Sequence, residues 1–236
     1  MANGAAAEYI AVACDSFGLA PKGLSLGEAA VLPLVALTGL QSFRWVGGEA
    51  FLARKTVLVL GGSGGTGHTG LQLAKAFGAA RVITTVSAGN MAFVKEFGAD
   101  EAIDYHADKW YEFLAPGSVD VVYDTVCQDG TGDLAYRVLK DGGRFVTLLP
   151  GALASATTAA ARPSIKQTFC GLNQTATADL DVLRGFVDSK LLRGFISETY
   201  DLDGVRSALN QSIAGHVVGK LAISVAASEE GHITFV

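Results

Sequence analysis

The chain has 236 residues, half of them apolar and 17% charged, with 29 glycines against five prolines and a formal net charge of −5. That length buries enough surface for one sizeable core without disulfides or metals, and the composition excludes a fibrous or disordered chain in favour of a globular one with many tight turns. Lysine and arginine are scattered with no basic block, which speaks against a nucleic-acid backbone or an anionic membrane as partner.

Residues 6–12 read as a short strand. Ser25 and Glu28 form a capping box, in which the serine oxygen caps an early amide and the glutamate reaches back. The helix this predicts is divided by Pro33, and the apolar run at 34–45 continues it to Gly47 and Gly48. The pattern then becomes regular. Residues 56–60 (TVLVL) are a continuous β-branched run of the kind covered on both faces in a parallel sheet. Residues 66–77 have helical spacing, and 81–86 (RVITTV) supply the next strand of a βαβ unit. The alternation predicts helix 91–97, strand 101–104, helix 109–114, strand 119–123, helix 133–139 and strand 144–149. The Ala/Thr-rich stretch at 152–161 reads as a mobile loop, followed by strand 167–171, helix 180–189, strand 196–200, helix 202–214 and strand 220–225. Such repetition predicts an α/β fold: a Rossmann, doubly wound, parallel six-stranded sheet flanked by helices.

Cys14, Cys127 and Cys170 are odd in number, widely spaced and set in apolar runs, the pattern of reduced, buried thiols rather than of disulfides or a CxxC metal site. No secretory leader or apolar run long enough to span a bilayer is visible, so a soluble cytoplasmic protein is expected.

Gly62, Ser63, Gly64, Gly65, Thr66 and Gly67 fit GxGxxG with the strand before and the helix after that the motif requires. The first glycine is expected to permit the tight turn, the second to let the backbone approach a pyrophosphate, and the third to let helix and strand pack closely. Amides at the helix start would then face the anion. An NAD site carries an acid about 20 residues further on, at the end of the second strand. Here residues 87–90 read Ser, Ala, Gly, Asn. With no carboxylate to repel a 2′-phosphate, and with Ser87 and Asn90 able to donate hydrogen bonds, NADPH (NADP+) fits better than NADH. Ser87 and Asn90 also suit caps of the next helix, and the two roles are compatible. Tyr136 and Lys140 have the YxxxK spacing of short-chain dehydrogenases, but the serine such sites use is replaced by the apolar strand at 119–123, so the match reads as an ordinary helix face. His68, His106 and His216 pair with no cysteine or carboxylate at metal-ligand spacing and read as solvated or packing histidines, so no metal is expected. No convincing Ser, His and Asp set of a hydrolase can be assembled.

Taken together, several stretches resemble the zinc-free quinone oxidoreductase and alkenal (enoyl) reductase branch of the medium-chain dehydrogenase/reductase superfamily. They are Ala6 with Glu8 to Val12, residues 32–38 (LPLVALT), the glycine loop with 72–75 (QLAK), 93–100 (FVKEFGAD), 103–105 (IDY), 120–124 (DVVYD), 142–144 (GGR) and 219–221 (GKL). The resemblance implies that Thr38 lies near a nicotinamide, Gly62, Gly64, Gly65, Thr66 and Gly67 on the pyrophosphate, and Ser87, Asn90 and Tyr105 around the 2′-phosphate. It implies Val126 and Cys127 along the adenosine side, and Leu149, Pro150, Gly151, Phe169, Cys170 and Gly171 bordering the nicotinamide. In zinc-dependent relatives a cysteine ligand falls near Leu34 and Val35, neither of which can ligate.

The resemblance also implies an N-terminal GroES-like domain of which residues 1–24 would be a remnant with its linker, a Rossmann domain at 25–200, and a C-terminal helix and strand at 201–236 returning towards the catalytic domain. The chain would then be a fragment, a proteolytic product or a shortened gene product. Catalytic residues are expected mainly in the domain it lacks. The leading expectation is an NADPH-dependent oxidoreductase passing hydride to a quinone or an activated alkene, with homodimerisation through the Rossmann sheet edge. The alternative is a catalytically silent NADP(H)-binding module. A methyltransferase, also Rossmann-like, is a third and weaker reading, because the ordered matches favour a nicotinamide fold.

Overall fold

A capping box opens the helical part of the chain in the computed structural model, which describes residues 6, 7, 10, 12, 13 and 16–225. Residues 8, 9 and 11 of the strand expected at 6–12, and Cys14, lie outside them. Ser25 Oγ accepts the Glu28 amide at 3.3 Å while Glu28 Oε2 accepts the Ser25 amide at 2.8 Å, starting α1 (Leu26–Ala30). Pro33 then begins α2 (Pro33–Trp45), where its missing N–H leaves no bond unmade. A short α3 (Gly48–Leu52) precedes the sheet.

The alternating segments form β1 (Thr56–Leu60), α4 (Gly65–Ala76), β2 (Arg81–Val86), α5 (Met91–Glu96), β3 (Glu101–Asp104), α6 (Trp110–Phe113), β4 (Val119–Asp124), α7 (Thr131–Val138), β5 (Leu139–Thr147), α8 (Ala156–Ala161) and β6 (Lys166–Phe169). The six strands run parallel in the order β3-β2-β1-β4-β5-β6. Successive strands lie outward from β1 on one side and from β4 on the other, so the winding reverses between these two.

Period-two alternation divides the sheet's side chains between two layers. Leu58, Leu60, Ile83, Ile103, Val122 and Phe145 pack with Tyr136 and Val138 of α7 and with Trp110 and Tyr111 of α6. On the other face the fully buried Tyr123 ring lies 5.1 Å from Phe43 of α2 and against Gly70 of α4, where a Cβ would sit 2.8 Å from the ring. Burying each such large side chain contributes roughly 1.5–3 kcal/mol.

Two departures from the sequence reading have clear causes. The stretch at 152–161 is not a loop: α8 forms because Ser155 caps the Thr158 amide at 3.3 Å, and Ser155 is itself held by Asp133 through its amide (2.8 Å) and hydroxyl (2.9 Å). A cap anchored from α7 turns an alanine-rich stretch into a helix. Tyr136 and Lys140 share no helix face, since α7 ends at Val138 and Lys140 lies on β5.

Lys140 instead joins a polar strap at the amino ends of the strands. The largely buried Asp120 carboxylate accepts the Thr56 amide (2.9 Å) and Lys140 Nζ (2.7 Å), with Lys55 Nζ at 3.6 Å, tying β1, β4 and β5 where the β4–β5 register breaks between Val119 and Val121. Burial pushes this carboxyl up, but the Lys140 and Thr56 hydrogen bonds and the two lysine charges together hold it below the usual carboxylate range.

The chain divides into two compact units, one of them Thr38–Leu172 and the other Met1–Leu37 with Asn173–Val236. In the latter, α9 (Thr177–Asp188) precedes β7 (Ile196–Asp201), α10 (Val205–Ala214) and β8 (Lys220–Ser224). β7 and β8 pair in parallel, which requires the crossover that α10 supplies. An apolar cleft of about 280 Å³ lined by Ala30, Val31, Ile196, Leu221 and Ile223 belongs to this unit, and it contains none of the expected site residues. Among the described residues no helix is long and apolar enough to cross a membrane.

Removing the Asp120 strap should be costly and pH-dependent. Asp120→Ala is expected to lower stability by about 1–3 kcal/mol, from the loss of the charge-assisted hydrogen bonds to Lys140 and the Thr56 amide. Because the folded-state carboxyl is held down, its contribution is full at neutral pH and is lost as pH falls through the lowered value. Thermal unfolding of Asp120→Asn against pH should therefore be flatter than wild type in the acid range, and parallel curves would contradict the strap.

Candidate functional site

All six parallel strands end on the same edge, so the loops that follow them line up there. Five strand spacings of about 4.8 Å make that row about 24 Å long, a site for an extended ligand rather than a compact one. The expected site residues fall along it in strand order. Ser87, Asn90 and Tyr105 follow β2 and β3, and the glycine turn follows β1. Val126 and Cys127 follow β4, Leu149, Pro150 and Gly151 follow β5, and Phe169, Cys170 and Gly171 lie at or just past the end of β6. Thr38 lies apart on α2, half-buried beside Gly39, where a Cβ would sit 2.8 Å from the Leu73 side chain.

The glycine turn is built differently from the expectation at its first position. The left-handed residue is Gly61 (φ 80°), not Gly62. Gly62 is needed for space: a Cβ there would collide with the Thr84 side chain. Gly67 behaves as expected, because a Cβ on it would run into the Gly61 carbonyl and the Gly62 Cα, each closer than 3.0 Å. Gly64 differs from both. It is the N-cap of α4, with extended backbone and no side-chain cap, and its Cβ position meets nothing nearer than the Gly61 oxygen at 3.6 Å. The first amides of α4 have no intrahelical acceptor and point, with the helix dipole, towards this open face. Gly65 and Thr66 form the first turn behind it.

Several residues that position this turn carry no motif. Thr85 Oγ1 accepts the Gly61 amide at 3.0 Å and its carbonyl accepts the Gly62 amide at 3.1 Å, while the Thr84 hydroxyl donates to the Val59 carbonyl at 2.7 Å. Their partners lie more than 20 residues away, so no local signal could reveal them. His68 is fully buried, with Nδ1 3.0 Å from the Gly64 carbonyl and its ring edge-on to Phe97 at 5.2 Å, which makes it a packing residue.

At the β2–β3 end, the Tyr105 amide donates to the Val86 carbonyl at 3.2 Å, which brings Tyr105 beside the Ser87 turn. Neither Ser87 nor Asn90 caps a helix through its side chain; Asn90 Nδ2 donates instead to Ser87 Oγ at 3.2 Å. The Tyr105 ring is exposed and lies 4.3 Å from that of His106. The other end is apolar: Val126, Leu149 and Phe169 are 48%, 56% and 42% exposed at the ends of three neighbouring strands. Cys127 and Cys170 are free and half-buried rather than fully buried. Burial pushes the Cys127 thiol up, and the nearby Asp124 charge adds to that, so this group stays protonated at neutral pH. Among the described residues no cluster of His, Cys, Asp or Glu could hold a metal ion.

Residues 97–223 match the family described as zinc-binding dehydrogenase. The chain is 32% identical to the chloroplastic quinone-oxidoreductase homolog of Spinacia oleracea over 230 residues, 94% of this chain and 69% of that protein. It is 40% identical over 146 residues to the chloroplastic NADPH-dependent alkenal/one oxidoreductase of Arabidopsis thaliana, 61% of this chain and 36% of that one. The solved quinone oxidoreductase of Coxiella burnetii superposes with a TM-score of 0.73 at 30% identity, over 87% of this chain and 62% of that structure. The chain thus spans just over a third of the length of the first curated relatives it matches.

The glycines should separate by role. Gly67→Ala, forced into the Gly61 carbonyl, is expected to cost about 3 kcal/mol or more. Gly64→Val should remain folded with a nearly unchanged Tm. Circular dichroism melts of both check this, and a Gly67→Ala protein as stable as wild type would contradict the geometry.

Proposed function

The chain belongs to the medium-chain dehydrogenase/reductase superfamily, and from that premise we propose that it is the NADPH-binding part of a zinc-independent oxidoreductase that reduces a quinone or an activated alkene such as an enal or enone. The observation that carries the reading is the row at the strand edge: a polar end, an open helix N-terminus in the middle and an apolar end. A nicotinamide dinucleotide phosphate has the same sequence of chemistry, with phosphate-bearing ribose, pyrophosphate and flat apolar ring.

The residues fit this cofactor. Gly64 leaves room for a pyrophosphate where a Cβ would stand, with Gly62, Gly65, Thr66 and Gly67 shaping the turn. Ser87, Asn90 and Tyr105 offer hydroxyl and amide donors with no carboxylate in the 87–90 turn. Val126 and Cys127 flank the centre, and Leu149, Pro150, Gly151, Phe169, Cys170 and Gly171 supply apolar walls for a nicotinamide, to which we also assign Thr38. When bound, the cofactor supplies a hydride. The chain's own groups orient it and exclude water from one side. Electron-poor alkenes and quinones accept hydride without a metal Lewis acid, which agrees with the resemblance, where a zinc-ligand cysteine would fall near Leu34 and Val35, neither of which can ligate. Residues 25–200 form the dinucleotide-binding part in this reading, with 1–24 and 201–236 belonging to the substrate side. The names of the relatives, one an NADPH-dependent alkenal/one oxidoreductase and others quinone oxidoreductases, support the same substrate class.

Two narrower assignments accompany it. β6 is the last strand in the sheet order, and we assign homodimerisation to that edge, testable by sedimentation. Half-buried free thiols suit a reducing, cytoplasm-like compartment, testable by fractionation.

NADPH should bind at least about tenfold more tightly than NADH, a difference of about 1.4 kcal/mol. Ser87→Asp should reverse the preference by repelling the phosphate and offering an acceptor to the ribose hydroxyl. Calorimetry giving equal affinities for the two cofactors would contradict the assignment. Gly64→Val should abolish binding of either. NADPH oxidation with a panel of quinones and enals then separates an enzyme from a silent NADP(H)-binding module.

A further inference from the structure

The most deeply buried charge at the strand edge belongs to a residue with no place in the glycine motif. Asp124 ends β4, where the winding of the sheet reverses, and is 0% exposed. Its Oδ1 accepts two amides, from Val126 at 3.0 Å and from Cys127 at 2.9 Å, and its Oδ2 accepts the Thr147 hydroxyl at 3.1 Å. None of these partners is a cation. Burial pushes the carboxyl above its usual range, and the two amides and the hydroxyl pull against that.

These bonds fold residues 125–127 back over the end of the strand, with Cys127 in the left-handed region at φ 61°. The folded turn closes directly on the glycine turn. Thr125 Oγ1 donates to the Leu60 carbonyl at 2.6 Å, and a Cβ on Gly61 would lie 2.8 Å from Val126 Cγ2. The two turns thus meet side by side where the winding of the sheet reverses, and only one of them is written in the glycine motif.

We propose that Asp124 is a positioning residue of the dinucleotide crevice: its buried carboxylate holds the Val126 and Cys127 amides so that the 125–127 turn stands as a second wall beside the glycine turn. This rests on the dinucleotide reading above. The arrangement also steers an anion. The Val126 and Cys127 amides are already spent on Asp124, and the carboxylate charge lies beneath them, so a pyrophosphate is left the amides at the start of α4. The two walls therefore divide the work, one binding the phosphates and the other confining the ligand without competing for them.

The test is NADPH titration of two variants, with thermal melts of each. Asp124→Ala frees the turn and should weaken NADPH binding by about tenfold or more, whereas Asp124→Asn keeps an Oδ1 able to accept both amides and should stay within about threefold of wild type. Wild-type affinity in a folded Asp124→Ala overturns the proposal. So does an Asp124→Asn variant as weak as the alanine one, because the charge and not the acceptor geometry would then matter. Should Asp124→Ala fail to fold, amide exchange in the wild-type protein decides: Val126 and Cys127 should exchange slowly without ligand and more slowly with NADPH, and rapid exchange at both overturns the latch. A wild-type chain that binds no NADPH, with both amides protected, refutes the dinucleotide reading instead.

Discussion

The close approach of helix α4 to strand β1 is the constraint from which the rest of the strand edge follows. Gly67 sits against the Gly61 carbonyl and the Gly62 Cα with no room for a side chain, so the helix axis can come down onto the strand end and bring its first amides to the crevice. Everything around that junction holds it in place. Thr84 and Thr85 of β2 fix the turn from one side. His68 bonds the Gly64 carbonyl and packs its ring on Phe97 of the next helix. At the far end of α4, Lys75 pairs with Asp100, whose carboxylate also accepts the Val82 amide at 2.6 Å. An exposed pair of this kind adds little stability by itself, but it fixes the helix direction that the glycine contact begins.

The crevice is asymmetric in a way that single residues do not convey. On the β1 side the backbone donors point outward and the helix dipole favours negative charge. On the β4 side the donors turn inward to Asp124. Hydroxyl and amide groups gather past β2 and β3, while Val126, Leu149 and Phe169 present apolar surface past β4, β5 and β6. A ligand that binds along this row has its direction imposed by three different kinds of interaction, so a reversed pose would place phosphate on apolar walls and lose the desolvation balance. Sheet order makes this possible: strands distant in sequence deliver their loops side by side.

Opposite polar straps hold the two ends of the sheet. At the amino edge Asp120 is charge-compensated by Lys140 and Lys55, whereas at the carboxyl edge Asp124 is satisfied by neutral donors only. The first carboxyl is held low and the second is pushed up, a difference produced by the deeper burial of Asp124 together with the absence of a cation among its partners. Asp124 lies without a cation at the edge where an anionic cofactor would enter, and its neutral donors hold the 125–127 turn there.

By itself the sequence determined the alternation of strands and helices, because buried parallel strands need continuous β-branched runs such as TVLVL and because caps such as Ser25 with Glu28 act over three residues. It also determined the glycine turn, whose requirements are local and steric. Boundaries were harder: β5 begins at Leu139 rather than 144, with Gly142 and Gly143 carried inside the strand. α8 was hidden because its cap depends on Asp133, more than 20 residues upstream. Gly61 rather than Gly62 takes the left-handed conformation, while Gly62 is required for space, because a Cβ there would collide with the Thr84 side chain from a strand more than 20 residues away. The tertiary structure alone decided that Asp124, at the end of β4, is fully buried and accepts the Thr147 hydroxyl besides the two local amides of its own turn, since Thr147 reaches it only when β4 and β5 pair.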